Sequence, residues 1–159
     1  MPSYQASAAS RAGAEAVWQA WIDVAAWSTF DHIESATIDG EFRPGATITS
    51  KAKGLPRSTL IVTRVEPPAL WVDESRSPGV RMTFDHVIES GPSGTSLTER
   101  VEITGRLGRV VGPLLRRKLE ALFEASVAAV ASSAEAAEAG GQGGQSGRPA
   151  PRPDRGGLP

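Results

Sequence analysis

"FDHVIESGPSGTSLTERVEI", residues 84 to 103, reads as two alternating runs joined by a Gly/Pro/Ser turn. Successive strand side chains point to opposite sides, so Met82, Phe84, His86 and Ile88 share one face, against Thr83, Asp85, Val87 and Glu89. In the second run Leu97, Glu99, Val101 and Ile103 share a face, against Thr98, Arg100, Glu102 and Thr104. Each apolar face therefore carries one ionisable residue. A hairpin that closes through Gly91 to Gly94, with Ser90 opposite Thr95, sets Ile88 against Leu97, His86 against Glu99 and Phe84 against Val101. Cross-strand Cβ atoms lie about 4.5–5.5 Å apart, near enough for an imidazole and a carboxylate to hydrogen-bond. A slip of one residue would send the two apolar faces to opposite sides, which burial disfavours.

Working outward, a turn at Ser77-Pro78-Gly79 that sets Arg76 opposite Arg81 places Trp71 opposite His86, with Trp71, Asp73 and Ser75 on the inner face. Strands are expected over residues 32–38, 46–53, 59–66, 70–76, 81–89 and 97–104. Their links, "DGEFRPG", "KGLPRS", "EPPA", "SPG" and "SGPSG", are short and turn-forming, as in an antiparallel meander. Upstream lie an alternating segment over 3–9, a helix carrying Val17, Trp18, Trp21 and Ile22, and a short helical turn over 23–30. A long helix is expected over 109–138, with Val111, Leu115, Leu119, Leu122, Ser126 and Val130 on one face and Pro113 tolerated in its first turn. The fold class is thus α+β, a curved antiparallel sheet of about seven strands around one long helix. One helix cannot fill the concavity of so large a sheet, so an internal, largely apolar cavity is expected.

The composition narrows the partners. The 159 residues carry 17 Lys and Arg against 18 Asp and Glu, which argues against nucleic-acid binding. With no cysteine and only two histidines, thiolate chemistry and a metal site are not expected. No segment approaches the roughly 20 apolar residues of a membrane span, and the opening lacks the pattern of a signal peptide, so a soluble cytoplasmic protein is expected. From Gly140 the chain turns to "GGQGGQSGRPAPRPDRGGLP". The reading is one domain over 1–138 and a disordered Gly/Pro/Arg-rich tail over 139–159.

The phrases "AEAVWQAWIDVAAW" (14–27), "GEFRPGATITSKAKG" (40–54), "VEPPALWVDES" (65–75) and "GTSLTERVEITG" (94–105), in this order before a closing helix, resemble the SRPBCC superfamily of START-like, helix-grip proteins. The likeness covers nearly all of residues 1–138. The polyketide cyclase/dehydrase branch is the nearest in length and in the run from Trp71 through Ser77-Pro78-Gly79 and His86 to Gly94-Thr95. The resemblance implies a cavity for a small hydrophobic molecule and no cofactor. It does not imply one activity, since members include lipid carriers, receptors, cochaperones and enzymes of ring closure or dehydration.

The expected pocket has an aromatic wall of Trp71 and Phe84, the pair His86 and Glu99, Asp73 nearby, and Val101 on the same face. Trp27, Phe30 and the final helix, through Leu115, Leu119 and Leu122, close it. Trp18 and Trp21 read as helix core, and Asp31-His32 as loop surface near the mouth. Of the strand arginines, Arg81 and Arg100 face outward by alternation and Arg64 stays open. "RRK" at 116–118 reads as a solvated helix face. A buried His–Glu pair more often fixes strand register than it does chemistry. In a cavity it gains a second use, because the carboxylate orients an imidazole able to move a proton near neutral pH. The expected activity is a cyclase or dehydratase, of lyase or isomerase type, acting on a polyketide-like or aromatic molecule. The alternatives are a non-catalytic carrier or sensor of a lipid or aromatic metabolite and a protein-interaction module, and a homodimer is compatible with either function.

Overall fold

Gly91 pairs with Gly94 and Ser77 with Val80, so the two central hairpins turn through Pro92-Ser93 and Pro78-Gly79 alone. Pro78 followed by Gly79 at φ 76° suits such a turn, because proline presets the first position and glycine accepts the positive φ of the second. The computed structural model describes residues 1–143. Its elements run β1 (Ser3–Ser10), α1 (Ala14–Ile22), a 3-10 helix (Val24–Thr29), β2 (Ile33–Asp39), β3 (Thr47–Ala52), β4 (Ser58–Glu66), β5 (Leu70–Ser77), β6 (Val80–Gly91), β7 (Gly94–Thr104) and α2 (Gly108–Gly143).

One antiparallel sheet of seven strands has the order β1-β7-β6-β5-β4-β3-β2, a meander in which only β1 is displaced, to pair with β7. With the long closing helix this is the helix-grip α+β architecture. The expected register holds throughout the centre: Ile88 faces Leu97, His86 faces Glu99, Phe84 faces Val101, and Trp71 faces His86. The hairpin closes one pair further than expected, with a two-residue turn in place of four, which leaves parity unchanged.

On α2, Leu119, Phe123, Val127, Val130 and Ala134 recur at helical spacing and are buried against the sheet. Each large side chain buried this way contributes about 1.5–3 kcal/mol. α1 adds Val17, Trp18 and Trp21 from the other side. Two carboxylates near the end of α2 fasten it to the β1–α1 connection: Glu135 accepts from the Arg11 amide at 2.7 Å and Glu138 from the Gly13 amide at 2.9 Å.

Two expectations about this helix are corrected. It does not stop at Glu138 but runs to Gly143, because the Ala-rich stretch before it has the propensity to carry a helix past the first glycines. The expected tail therefore overlaps the helix at 139–143, and the rest of it lies outside the described residues. Pro113 sits beyond the first turn, since the helix starts at Gly108.

Candidate functional site

A cavity of about 590 Å³ lies between the sheet and α2. Val111, Leu115, Leu119, Leu122, Ser126 and Val130 line it from the helix, as the spacing predicted, and Met82, Phe84 and Leu60 from the sheet. Trp27 and Phe30 close one side from the 3-10 helix and the residue after it. Trp27 is held there by its indole N–H, which donates to the Trp21 carbonyl at 2.9 Å.

Three ionisable side chains meet on this wall. Asp73, His86 and Glu99 all line the cavity and are all buried, from three neighbouring strands. The His86 ring lies flat on Trp71, with centroids 3.5 Å apart and planes 2° from parallel, while Trp21 meets its edge at 5.1 Å. An imidazole so clamped cannot swing. His86 Nε2 stands 3.7 Å from Glu99 Oε1, an ion-pair distance but too long for the direct hydrogen bond expected from strand pairing. The ring's position is set by its stacking on Trp71 as well as by strand pairing. Among the described residues His86 Nδ1, Asp73 Oδ1, Glu99 Oε2 and Trp71 Nε1 are buried without a hydrogen-bond partner. Such orphaned groups cost stability unless a ligand or a function uses them.

Asp73 is the group most altered by this setting. Burial pushes its carboxyl up to about 7, the negative charges of Glu99 and Asp85 push the same way, and His86 opposes them. Near neutral pH it therefore spends much of its time as a neutral acid, able to donate to a ligand oxygen.

Several expected positions shift. Trp71 is fully buried behind His86 and does not line the cavity; its bulk goes into supporting the imidazole. Val101 is likewise fully buried in the core, because the neighbouring elements cover it. Trp21 is in the core as expected and lines the cavity as well. His32 is also more than loop surface: it lines the cavity stacked on Phe30 at 5.8 Å, and burial holds its pKa below the ordinary value, against the charges of Glu99 and Asp31. Arg64 turns outward to Glu66, and the arginines that do reach the cavity are Arg57 and Arg76. Arg76 is paired with Glu74 at 2.9 Å. Strand alternation reported the inner faces of β5, β6 and β7, but no local pattern marks which loop residues fold over the opening. Among the described residues no cluster of three or more His, Asp or Glu is placed to hold a metal ion.

Known structures share this fold. The di-domain aromatase/cyclase StfQ from the steffimycin biosynthetic pathway superposes with a TM-score of 0.72 at 10% identity, over 87% of this chain and 52% of that one. The aromatase/cyclase Zhui from Streptomyces sp. R1128 gives 0.63 at 20% identity, over 84% and 93%. Norcoclaurine synthase from Thalictrum flavum, in complex with dopamine and hydroxybenzaldehyde, gives 0.64 at 14% identity, over 82% and 84%. This chain spans about half the length of the di-domain proteins it resembles. At the level of sequence, neither a protein-family model nor a curated protein matches it. Identities this low establish a shared helix-grip fold and leave the chemistry to the site.

Proposed function

We propose that this helix-grip protein takes a small, largely apolar, oxygen-bearing molecule of polyketide-like or aromatic type into its cavity and acts on it by proton transfer, as a cyclase or dehydratase. The observation that carries the reading is the meeting of Asp73, His86 and Glu99 on one wall of a largely apolar cavity, with polar atoms left unpaired. Aromatase/cyclases of the same fold support the substrate class.

The chemistry divides among the three. The neutral Asp73 carboxyl donates its proton to a carbonyl oxygen of the substrate, drawing electron density from the adjacent carbon. The His86 imidazole takes the proton from that carbon, and Glu99, 3.7 Å from its Nε2, stabilises the imidazolium that forms. The products are an enol, an imidazolium and an Asp73 carboxylate. The enol then adds to a second carbonyl of the same chain, whose oxygen takes the imidazolium proton as the ring closes, or expels a β-hydroxyl that leaves as water with that proton. In either case the enol O–H proton returns to the Asp73 carboxylate. Trp71 and Trp21 hold the ring in place while the proton moves.

A carrier reading is favoured by one feature: the fixed imidazole is suited equally to being a rigid hydrogen-bonding post for a ligand head group. Native mass spectrometry of the purified protein identifies any retained small molecule, and incubation with it shows whether it changes. With an enolisable aromatic polyketide mimic, His86→Ala and Glu99→Gln are each expected to lower turnover by about 10²–10⁴. Unchanged turnover in folded variants would remove the enzyme assignment, and retention without conversion would leave the carrier.

A further inference from the structure

We propose that the first third of α2, together with the β3–β4 turn beside it, docks on an anionic lipid bilayer and presents the cavity mouth to it. This goes beyond the proposed chemistry and does not depend on it.

The charges on α2 are segregated along its length, bases in its first third and acids after it. From Thr104 to Leu119 the chain carries Arg106, Arg109, Arg116, Arg117 and Lys118 and no acid, and from Glu120 to Gly143 it carries Glu120, Glu124, Glu135 and Glu138 and no base. This runs against the helix macrodipole, which favours acids at the start and bases at the end. The acids have a visible reason, since Glu135 and Glu138 cap backbone amides of the β1–α1 connection. Arg116 pairs with Glu120 and Lys118 donates to the Gly54 carbonyl. Among the described residues Arg106, Arg109 and Arg117 have no acidic partner, nor do Lys53 and Arg57 in the facing turn.

The same stretch exposes apolar side chains. Leu107, Val110 and Leu114 recur on one side of the chain and are 51%, 62% and 76% exposed. They adjoin Val111 and Leu115, which line the cavity, and across the opening Leu55, Pro56 and Arg57 line it from the β3–β4 turn. Unpaired bases beside exposed apolar side chains, on one surface, point to an external partner.

A bilayer fits this surface better than a protein. The patch joins the start of α2 to the β3–β4 turn, and both elements also line the cavity that a ligand must reach. Interfacial helices seat such side chains at the acyl boundary while arginines and lysines reach the phosphates. No helix among the described residues is long and apolar enough to cross a membrane, so the association is peripheral. An apolar ligand dissolved in the bilayer would then enter the cavity without crossing water.

The test is co-sedimentation of the full chain with phosphatidylcholine vesicles, with and without phosphatidylglycerol. Binding is expected only to the anionic vesicles and should weaken as salt is raised. Each basic residue near such a surface adds roughly a factor of five, so R109A/R117A should lower partitioning about twenty-five-fold. Val110→Ser with Leu114→Ser should lower it by roughly tenfold. Circular dichroism checks that both variants keep their fold. No association with either vesicle, or association that neither pair changes, would overturn the proposal. Competition by a polyglutamate peptide at equal charge would reassign the surface to an acidic protein, and a dimer in light scattering that Leu114→Ser abolishes would reassign it to self-association.

Discussion

The two histidines of the chain line one cavity and are held in opposite ways. His86, on β6, lies flat against Trp71 with Trp21 at its edge, and is 5% exposed. His32, in the loop before β2, stacks on Phe30 alone and is half-buried. The first belongs to a wall whose shape is set by paired strands, aromatic packing and helix burial together. The second belongs to a rim set by one short helical segment. The difference separates a wall packed from several sides from an edge of the same cavity packed from one.

The contrast is broken most severely through the aromatic rings. Trp71→Ala removes a fully buried side chain that touches His86, Phe42 and both neighbouring tryptophans, and should cost about 3–5 kcal/mol in urea unfolding. Phe30→Ala, at the partly exposed rim, should cost less than about half as much. Equal losses would mean that the rim is as firmly built as the wall.

A smaller effect comes from Asp73, whose folded value of about 7 lies above its ordinary 3.8. Folding therefore favours its neutral form. The stability this confers is fully present below about pH 4 and is lost as pH rises through 7, a fall of a few kcal/mol. Asp73→Asn should flatten that part of the stability profile and leave the variant relatively more stable at alkaline pH. A profile with the same slope in wild type and variant would place the titration elsewhere.

Much of the wall was legible in the sequence, and little of the rim. Alternation in β6 and β7 fixes parity, parity with turn length fixes register, and register alone brings His86 opposite Glu99 and Trp71 opposite His86. The same logic put Asp73 on the inner face. What it could not supply was depth: Trp71 and Val101 share that face with cavity-lining residues yet are covered, because depth depends on how α1 and α2 settle over the sheet. Nor could it report the 3.7 Å gap, since side-chain distances depend on rotamer and packing beyond strand register. His32, Arg57 and Leu55 sit in loops, where no period relates sequence to direction. The divided charge of α2 was present in the letters, and "RRK" read as solvent-facing; the significance emerged only once exposed Val110 and Leu114 stood beside it at the cavity mouth.

The smallest expected effects are electrostatic, and Glu99 links both histidine regions. Its charge helps to raise Asp73 and opposes the burial that lowers His32. Glu99→Gln should therefore move both titrations down, Asp73 towards its ordinary range and His32 further from its own, as read by carboxyl and imidazole NMR shifts. Phe30→Ala should do the reverse to His32 alone, because uncovering the ring restores solvent to its charged form. For His32 the stability effect has the opposite sense to Asp73: it is present above the ordinary value of 6.5 and lost as pH falls through the lowered one. If Glu99→Gln moves Asp73 and leaves His32 still, the rim is screened from the wall by solvent. If both move, the Glu99 charge reaches wall and rim alike, and the two regions share one electrostatic space.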